Sequence, residues 1–265
     1  MSFRVQILQK FLYAVLKVSG WKKNVLLENL DYVYPEMSIY QKKKFRNELL
    51  KNLSQDASEF LTRNWIYSKG DLRFSVDEKS IPVLENMKQG GLMLTAHFGN
   101  YEAIGPWLVR LGIPLLASYA KLKPKFLDRW VYSRYRSIDN YNYSLFINNP
   151  REILNILDEK KLFCLVADQD FRHSHFIRGN LFGKPVHCNP IPVFILKYRP
   201  KTPVYICWLK QDEKKKTLFA KEIKLSNIEE IYLQFHKWLE RIIFLSPERW
   251  YGWIHRRYLS SKTFK

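Results

Sequence analysis

An α/β fold, with a central mixed sheet flanked by helices, is predicted by two patterns in the sequence. The first is a set of apolar runs of strand length bounded by turn residues: Gly91–Ala96, Pro114–Tyr119, Leu162–Ala167, Val204–Leu209 and Leu218–Ile223. The second is a set of segments of helical period placed among them. Two of the runs end on residues that carry chemistry, His97 after the first and Asp168 after the third. In open α/β sheets, ligands bind at such carboxyl ends.

Taken in order, residues 3–18 form an amphipathic helix with Val5, Leu8, Phe11, Leu12, Val15 and Leu16 on one face and Gln6, Lys10 and Lys17 on another. Two readings of that face stand: it lies in the headgroup layer of an anionic membrane, or it packs on the domain. Ser38 with Gln41 is a capping-box pattern that opens a second long helix, carried by Phe45, Leu49, Leu53, Ala57, Phe60 and Leu61 to about Arg63. Glu59, near its end, is either part of a site or a solvated or ion-paired helix carboxylate. Phe74–Val76 is a short strand, followed by a helix over Ile81–Lys88 that Gly90 and Gly91 terminate.

After His97, a turn at Gly99-Asn100 leads into a helix marked by Tyr101, Ile104, Trp107, Leu108 and Leu111. Lys121, Lys123 and Lys125 cluster beyond the next strand, as a phosphate site or a solvated face. A helix through Phe126, Trp130 and Val131 then closes on Arg134 and Arg136, and Glu152–Asp158 is another helix. His173 and His175, on a loop, have no acidic or cysteine ligands arranged around them, so no metal site is expected. Helices through Phe194, Ile195 and Tyr198, and from a Ser226/Glu229 capping box through Ile231, Phe235, Leu239 and Ile242, complete the pattern. Trp250 and Trp253 suit a membrane interface, and Arg256 and Arg257 suit lipid phosphates; ordinary packing and surface charge are the competing readings.

Composition narrows the partners. Lys and Arg number 44 against 25 Asp and Glu, a net charge of +19 that predicts acidic partners. No zinc-finger, RNA-recognition or basic-zipper pattern is present, so nucleic acid is not the expected one. Hydrophobic residues at 46% and aromatics at 15% exclude a disordered chain. Cys164, Cys188 and Cys207 are odd in number and widely spaced, against a disulfide framework or zinc site. No apolar run approaches the roughly 20 residues of a spanning helix, and no cleavable signal peptide is recognised. The expected organisation is an N-terminal amphipathic segment, 1–22, and one domain, 23–265.

The chemistry is expected at His97. Glu102, five residues on and a turn into the following helix, is placed to direct its carboxylate at the imidazole, fixing its tautomer for general-base work on a hydroxyl. Free N–H groups of the first helical turn are candidates to hold a developing oxyanion. A purely structural histidine is the alternative that spacing leaves open.

His97-Phe98-Gly99-Asn100-Tyr101-Glu102 resembles the His-x4-Glu box of the lipid A biosynthesis acyltransferases, the late lauroyl and myristoyl transferases of Gram-negative inner membranes. Asn24–Tyr34, the strand ending in Asp168-Gln169, Asn180-Leu181-Phe182-Gly183-Lys184-Pro185, and Ser246–Tyr258 resemble further elements of that family, so the likeness runs from about residue 24 to the C-terminus. The chain departs from the family in three places. Its N-terminal segment is shorter than the usual anchor, an Arg-x-x-x-Gly continuation is absent after Arg134, and Val186–Pro192 intervenes where small residues are usual.

The resemblance implies a glycerol-phosphate acyltransferase-like architecture. It implies transfer of a fatty acyl chain from an acyl carrier protein thioester to the 3-hydroxyl of an acyl chain on a Kdo-bearing lipid A precursor, in lipopolysaccharide or lipooligosaccharide biosynthesis. His97 and Glu102 would be catalytic, Arg134 (or Arg136) and Asp168 would stabilise charge and organise the site, and Lys121, Lys123, Arg256 and Arg257 would meet phosphates. The acylated carrier protein is a co-substrate, with no resident cofactor or metal. The partners implied are that carrier, an anionic glycolipid and the cytoplasmic face of the inner membrane, held peripherally or monotopically. Two rivals stay open: an acyltransferase acting on a glycerophospholipid or aminolipid with a coenzyme A donor, and a basic membrane- or nucleic-acid-binding protein with a degenerate site.

Overall fold

The computed structural model describes residues 3–62, 74–119, 124–135, 137–138, 141–147, 149–171, 173–212 and 215–255. Three helices come first: α1 (Phe3–Val18), α2 (Lys23–Val33) and α3 (Ile39–Thr62). Ser38 and Gln41 close the expected capping box at the start of α3, with the Ser38 N–H donating to Gln41 Oε1 at 2.8 Å and the Gln41 N–H to Ser38 Oγ at 3.2 Å.

The sheet and its helices follow: β1 (Phe74–Val76), α4 (Ile81–Met87), β2 (Gly91–Thr95), α5 (Ile104–Arg110), β3 (Leu115–Ser118), α6 (Lys125–Tyr135), β4 (Ser137–Ile138), β5 (Tyr141–Asn142), β6 (Ser144–Leu145), α7 (Arg151–Asp158), β7 (Leu162–Val166), β8 (Ile177–Leu181), β9 (Lys184–Cys188), α8 (Ile191–Tyr198), β10 (Val204–Gln211), β11 (Lys216–Ile223) and α9 (Glu230–Leu245). Two short 3-10 turns, Pro247–Arg249 and Tyr251–Ile254, come last.

The main sheet has seven strands in the order β1-β11-β10-β2-β7-β3-β6. Every neighbouring pair is parallel except β10 with β11, so the sheet is mixed, as predicted. Central strand β2 is buried along its whole length, which is why it reads as a continuous apolar run with no alternation. Its side chains still alternate by face. Leu92 and Leu94 enter a core shared with α2, α3, α8 and α9, whereas Met93 enters a second core with α4 and α5.

Two expectations need correction, and a further hairpin comes to light. The segment around Asn180–Pro185 is a separate β8–β9 hairpin; Phe182 and Gly183 turn it with φ of 54° and 69°, the pair of left-handed residues a tight type I′ turn requires. At the start of α9, the expected Ser226/Glu229 box moves one residue on. The Glu230 carboxylate accepts from the Ser226 N–H at 3.2 Å, and Asn227 Oδ1 accepts from the Glu230 N–H at 3.1 Å, because the carboxamide of Asn227 competes for the helix's free donors. Finally, Trp250 and Trp253 have no exposed surface, and their rings pack edge to face at 4.9 Å inside the core.

The face of α1 also divides. Val5 is fully buried and Leu16 packs on the core, while Phe3, Ile7, Phe11, Val15 and Val18 are exposed. The carbonyl of Leu16 accepts from the Arg46 guanidinium at 3.2 Å, so α1 is fastened to α3 with a second apolar stripe turned outward. Among the described residues, no helix is long and apolar enough to cross a membrane.

Candidate active site

Parallel pairing of β2 with β7 brings the two strand ends together. Thr95 is in register with Val166, and the Ala167 N–H donates to the Thr95 carbonyl at 2.9 Å. His97 and Asp168 each stand two residues beyond that pair, so the sheet itself sets them side by side.

Asp168 Oδ1 lies 2.7 Å from His97 Nδ1, and its Oδ2 accepts both the His97 backbone N–H at 3.1 Å and the Trp250 indole N–H at 2.7 Å. Asp168 has no exposed surface, and hydrogen bonds of this kind are what allow a carboxylate to stay ionised there. An ionised carboxylate only accepts, so the ring proton sits on Nδ1 and Nε2 is left as an acceptor. The Gln169 amide nitrogen stands 3.1 Å from Nε2 and 3.4 Å from His255 Nε2, an arrangement in which the amide donates to the imidazole.

The carboxylate that orients the ring is therefore Asp168. Glu102, expected in that role, is the middle residue of the short 3-10 turn Tyr101–Ala103 and lines the cavities beside the ring. A spacing argument along one segment cannot see a residue delivered by a neighbouring strand 71 positions away.

Three hydrogen bonds hold the box outside regular structure. The His97 carbonyl accepts the Tyr251 N–H at 2.8 Å, and the Gly99 N–H donates to the Arg249 carbonyl at 2.8 Å. These two bonds make the isolated antiparallel bridge of Phe98 with Trp250. The Asn100 carboxamide donates to Glu59 Oε2 at 2.7 Å. Gly99 has φ of 55°, a left-handed conformation a side chain would resist. The C-terminal Pro-Glu-Arg-Trp-Tyr-Gly-Trp segment is thus the back wall of the site.

His97, Tyr101 and Glu102 line two cavities at once. One, of about 1040 Å³, runs over the sheet past Met93, Ile104, Leu115, Ala117 and Leu165. The other, of about 270 Å³, lies against α3 and the last 3-10 turn, between Leu53, Ala57, Phe60, Tyr251 and Ile254. The imidazole side chain is 14% exposed, enough to reach a ligand in either. Cys164 also lines the larger cavity, but burial, with a contribution from the Glu102 charge, pushes its thiol up to about 12. It is a neutral thiol near pH 7 and a poor nucleophile.

Other expected residues fall differently. Arg134 is in the last turn of α6, with its side chain outside the described part of the structure. Lys121, Lys123, Arg136, Arg256 and Arg257 lie outside the described residues. His173 lines the larger cavity, whereas His175 is exposed and pairs with Ser174 at 2.9 Å. Among the described residues, no group of three or more His, Cys, Asp or Glu side chains could hold a metal ion. Gln169, Trp250, Tyr251 and His255 were not expected at the site; their one sequence signal is that they flank Asp168 or sit within the C-terminal motif.

A family model described as bacterial lipid A biosynthesis acyltransferase matches residues 1–260. A comparison with curated proteins returns no match.

Proposed function

Because the chain belongs to the bacterial lipid A biosynthesis acyltransferase family, we propose that it moves a fatty acyl chain from an acyl carrier protein thioester to the 3-hydroxyl of an acyl chain on a Kdo-bearing lipid A precursor. The observation that carries this reading is the Asp168–His97 dyad, with its imidazole lining two cavities.

The acceptor hydroxyl takes the place beside Nε2 that the Gln169 amide holds. As its oxygen attacks the thioester carbonyl carbon, the hydroxyl proton passes to Nε2, and Asp168 stabilises the imidazolium that forms. The tetrahedral intermediate then collapses with cleavage of the carbon–sulfur bond. The departing thiolate takes the proton back from Nε2, leaving an ester and the free carrier thiol. Two cavities meeting at one imidazole, each with apolar residues along it, suit a reaction in which both donor and acceptor bring a hydrocarbon chain.

The net charge of +19 favours an acidic carrier and a phosphorylated glycolipid. The outward stripe of Phe3, Ile7, Phe11, Val15 and Val18, with Lys10 and Lys17 exposed beside it, supports attachment of α1 to the cytoplasmic face of the inner membrane without crossing it.

The test is transfer by the purified protein, comparing carrier-protein and coenzyme A thioesters against Kdo-bearing lipid A precursor, glycerophospholipid and aminolipid acceptors. Carrier-dependent acylation of the lipid A precursor is expected. Preference for coenzyme A and another lipid would replace the substrate assignment, and transfer to none would favour a binding protein.

A further inference from the structure

Helix α3 contributes two buried acids to the surroundings of His97. Asp56 and Glu59 sit three residues apart on α3, on one face, with 6% and 4% of their surfaces exposed. The Glu59 carboxylate accepts the Asn100 carboxamide at 2.7 Å and pairs with the ammonium of Lys216, which is 4% exposed and opens β11. The Asp56 carboxylate accepts the Tyr251 hydroxyl. Asn100 and Tyr251 are the residues whose own bonds fix the box: Asn100 belongs to it, and the Tyr251 N–H holds the His97 carbonyl.

A chain that needed only to pack α3 here would do so at less desolvation cost with apolar side chains. What apolar side chains cannot supply is direction, since a carboxylate fixes its hydrogen-bond partner along a set line. We propose that Asp56 and Glu59 are positioning residues for the transfer reaction: through Tyr251 and Asn100, they set where the His97 imidazole stands between the two cavities.

The inference rests on the acyl-transfer reading for its consequence, but its geometry can be read without turnover. Proton NMR of the intact protein resolves the downfield Nδ1 proton of a histidine bonded to a carboxylate. In Asn100→Ala and Tyr251→Phe, the His97 resonance should shift and broaden while near-ultraviolet circular dichroism stays native. Ser54→Ala, which removes a buried hydroxyl from the same helix but bonds only to the Leu50 carbonyl, should leave it unchanged. Glu59→Gln alone should move it, because the Lys216 ammonium loses the carboxylate charge it pairs with. Glu59→Gln with Lys216→Met, which keeps an amide oxygen for Asn100 and removes both charges, should restore it.

In the transfer assay the single variants should lose about 10- to 100-fold in kcat, with KM within about twofold, the mark of a misplaced group. An unchanged His97 resonance in folded Asn100→Ala and Tyr251→Phe would overturn the proposal, even in a protein that transfers acyl groups. Moved resonances in a protein that transfers nothing would instead leave the positioning intact and remove the function. Should Asn100→Ala fail to fold, the paired Glu59 and Lys216 variants decide the matter by the presence or absence of restoration.

Discussion

Asp168→Asn is the substitution whose effect the site determines most tightly. The Asp168 Oδ2 atom faces two donors it cannot escape, the His97 backbone N–H at 3.1 Å and the Trp250 indole N–H at 2.7 Å. An asparagine must turn its carbonyl oxygen to those donors, which directs its NH2 group at His97 Nδ1. Nδ1 then has to accept, the ring proton moves to Nε2, and the atom that should take the substrate proton is already occupied. The same tautomer trap in a serine protease triad lowers kcat about 10⁴-fold, or ~5 kcal/mol in the barrier. Steady-state kinetics should show a loss of about 10³- to 10⁴-fold in kcat with KM little changed. Glu102→Gln, which leaves the Asp168 bond in place, should cost less. Were Asp168→Asn within tenfold of the parent and Glu102→Gln inactive, the ring would be oriented by Glu102 during turnover, and the assignment of roles here would be wrong.

Trp250→Phe removes one of the donors to Asp168 while keeping an aromatic ring, and should lower kcat by about tenfold as the carboxylate loses a fixed direction. Ile7→Ser with Phe11→Ser, both on the exposed stripe of α1, should weaken binding to anionic vesicles in a sedimentation assay by a factor of about 10² or more, since burying each side chain is worth ~2 kcal/mol; unchanged binding would detach α1 from the membrane. Asp56 is buried, and that burial raises its carboxyl from 3.8 to about 6, against the nearby charges of Arg249 and Lys216, which lower it. The folded state therefore binds a proton more tightly than the unfolded state, so this group costs nothing below pH 4 and destabilises as pH rises through 6, by ~3 kcal/mol in full. Denaturant titrations of Asp56→Asn should gain stability over the parent progressively from pH 4 to above pH 6; a constant difference across that range would show that Asp56 does not titrate in it.

Six strands, β1, β2, β3, β7, β10 and β11, and most of the helices were legible because burial and period act locally. Leu92–Leu94 has to be a strand whichever neighbours it meets, and Ser38 and Gln41 carry both halves of their own cap. His97 was legible for the same reason, as the residue that breaks an apolar run. Its partner was not, because the choice between Glu102 and Asp168 depends on which strand lies beside β2, and only the β2–β7 register settles it. The tryptophans show the same limit: an indole reads alike at a membrane surface and in a core, and Trp250 is in the core because its N–H is needed at Asp168. In α1 the period was visible, but not that its apolar residues divide between a stripe packed on the core and a second that remains outside.

The proposed transfer depends on a proton leaving an acceptor hydroxyl for His97 Nε2. The direct measurement is the amount of newly esterified lipid, by mass spectrometry, formed by the intact protein and by His97→Ala from an acylated carrier protein and a Kdo-bearing lipid A precursor. Loss of at least about 10³-fold in the variant is expected, in line with removal of a general base. Equal ester formation by both proteins would contradict it.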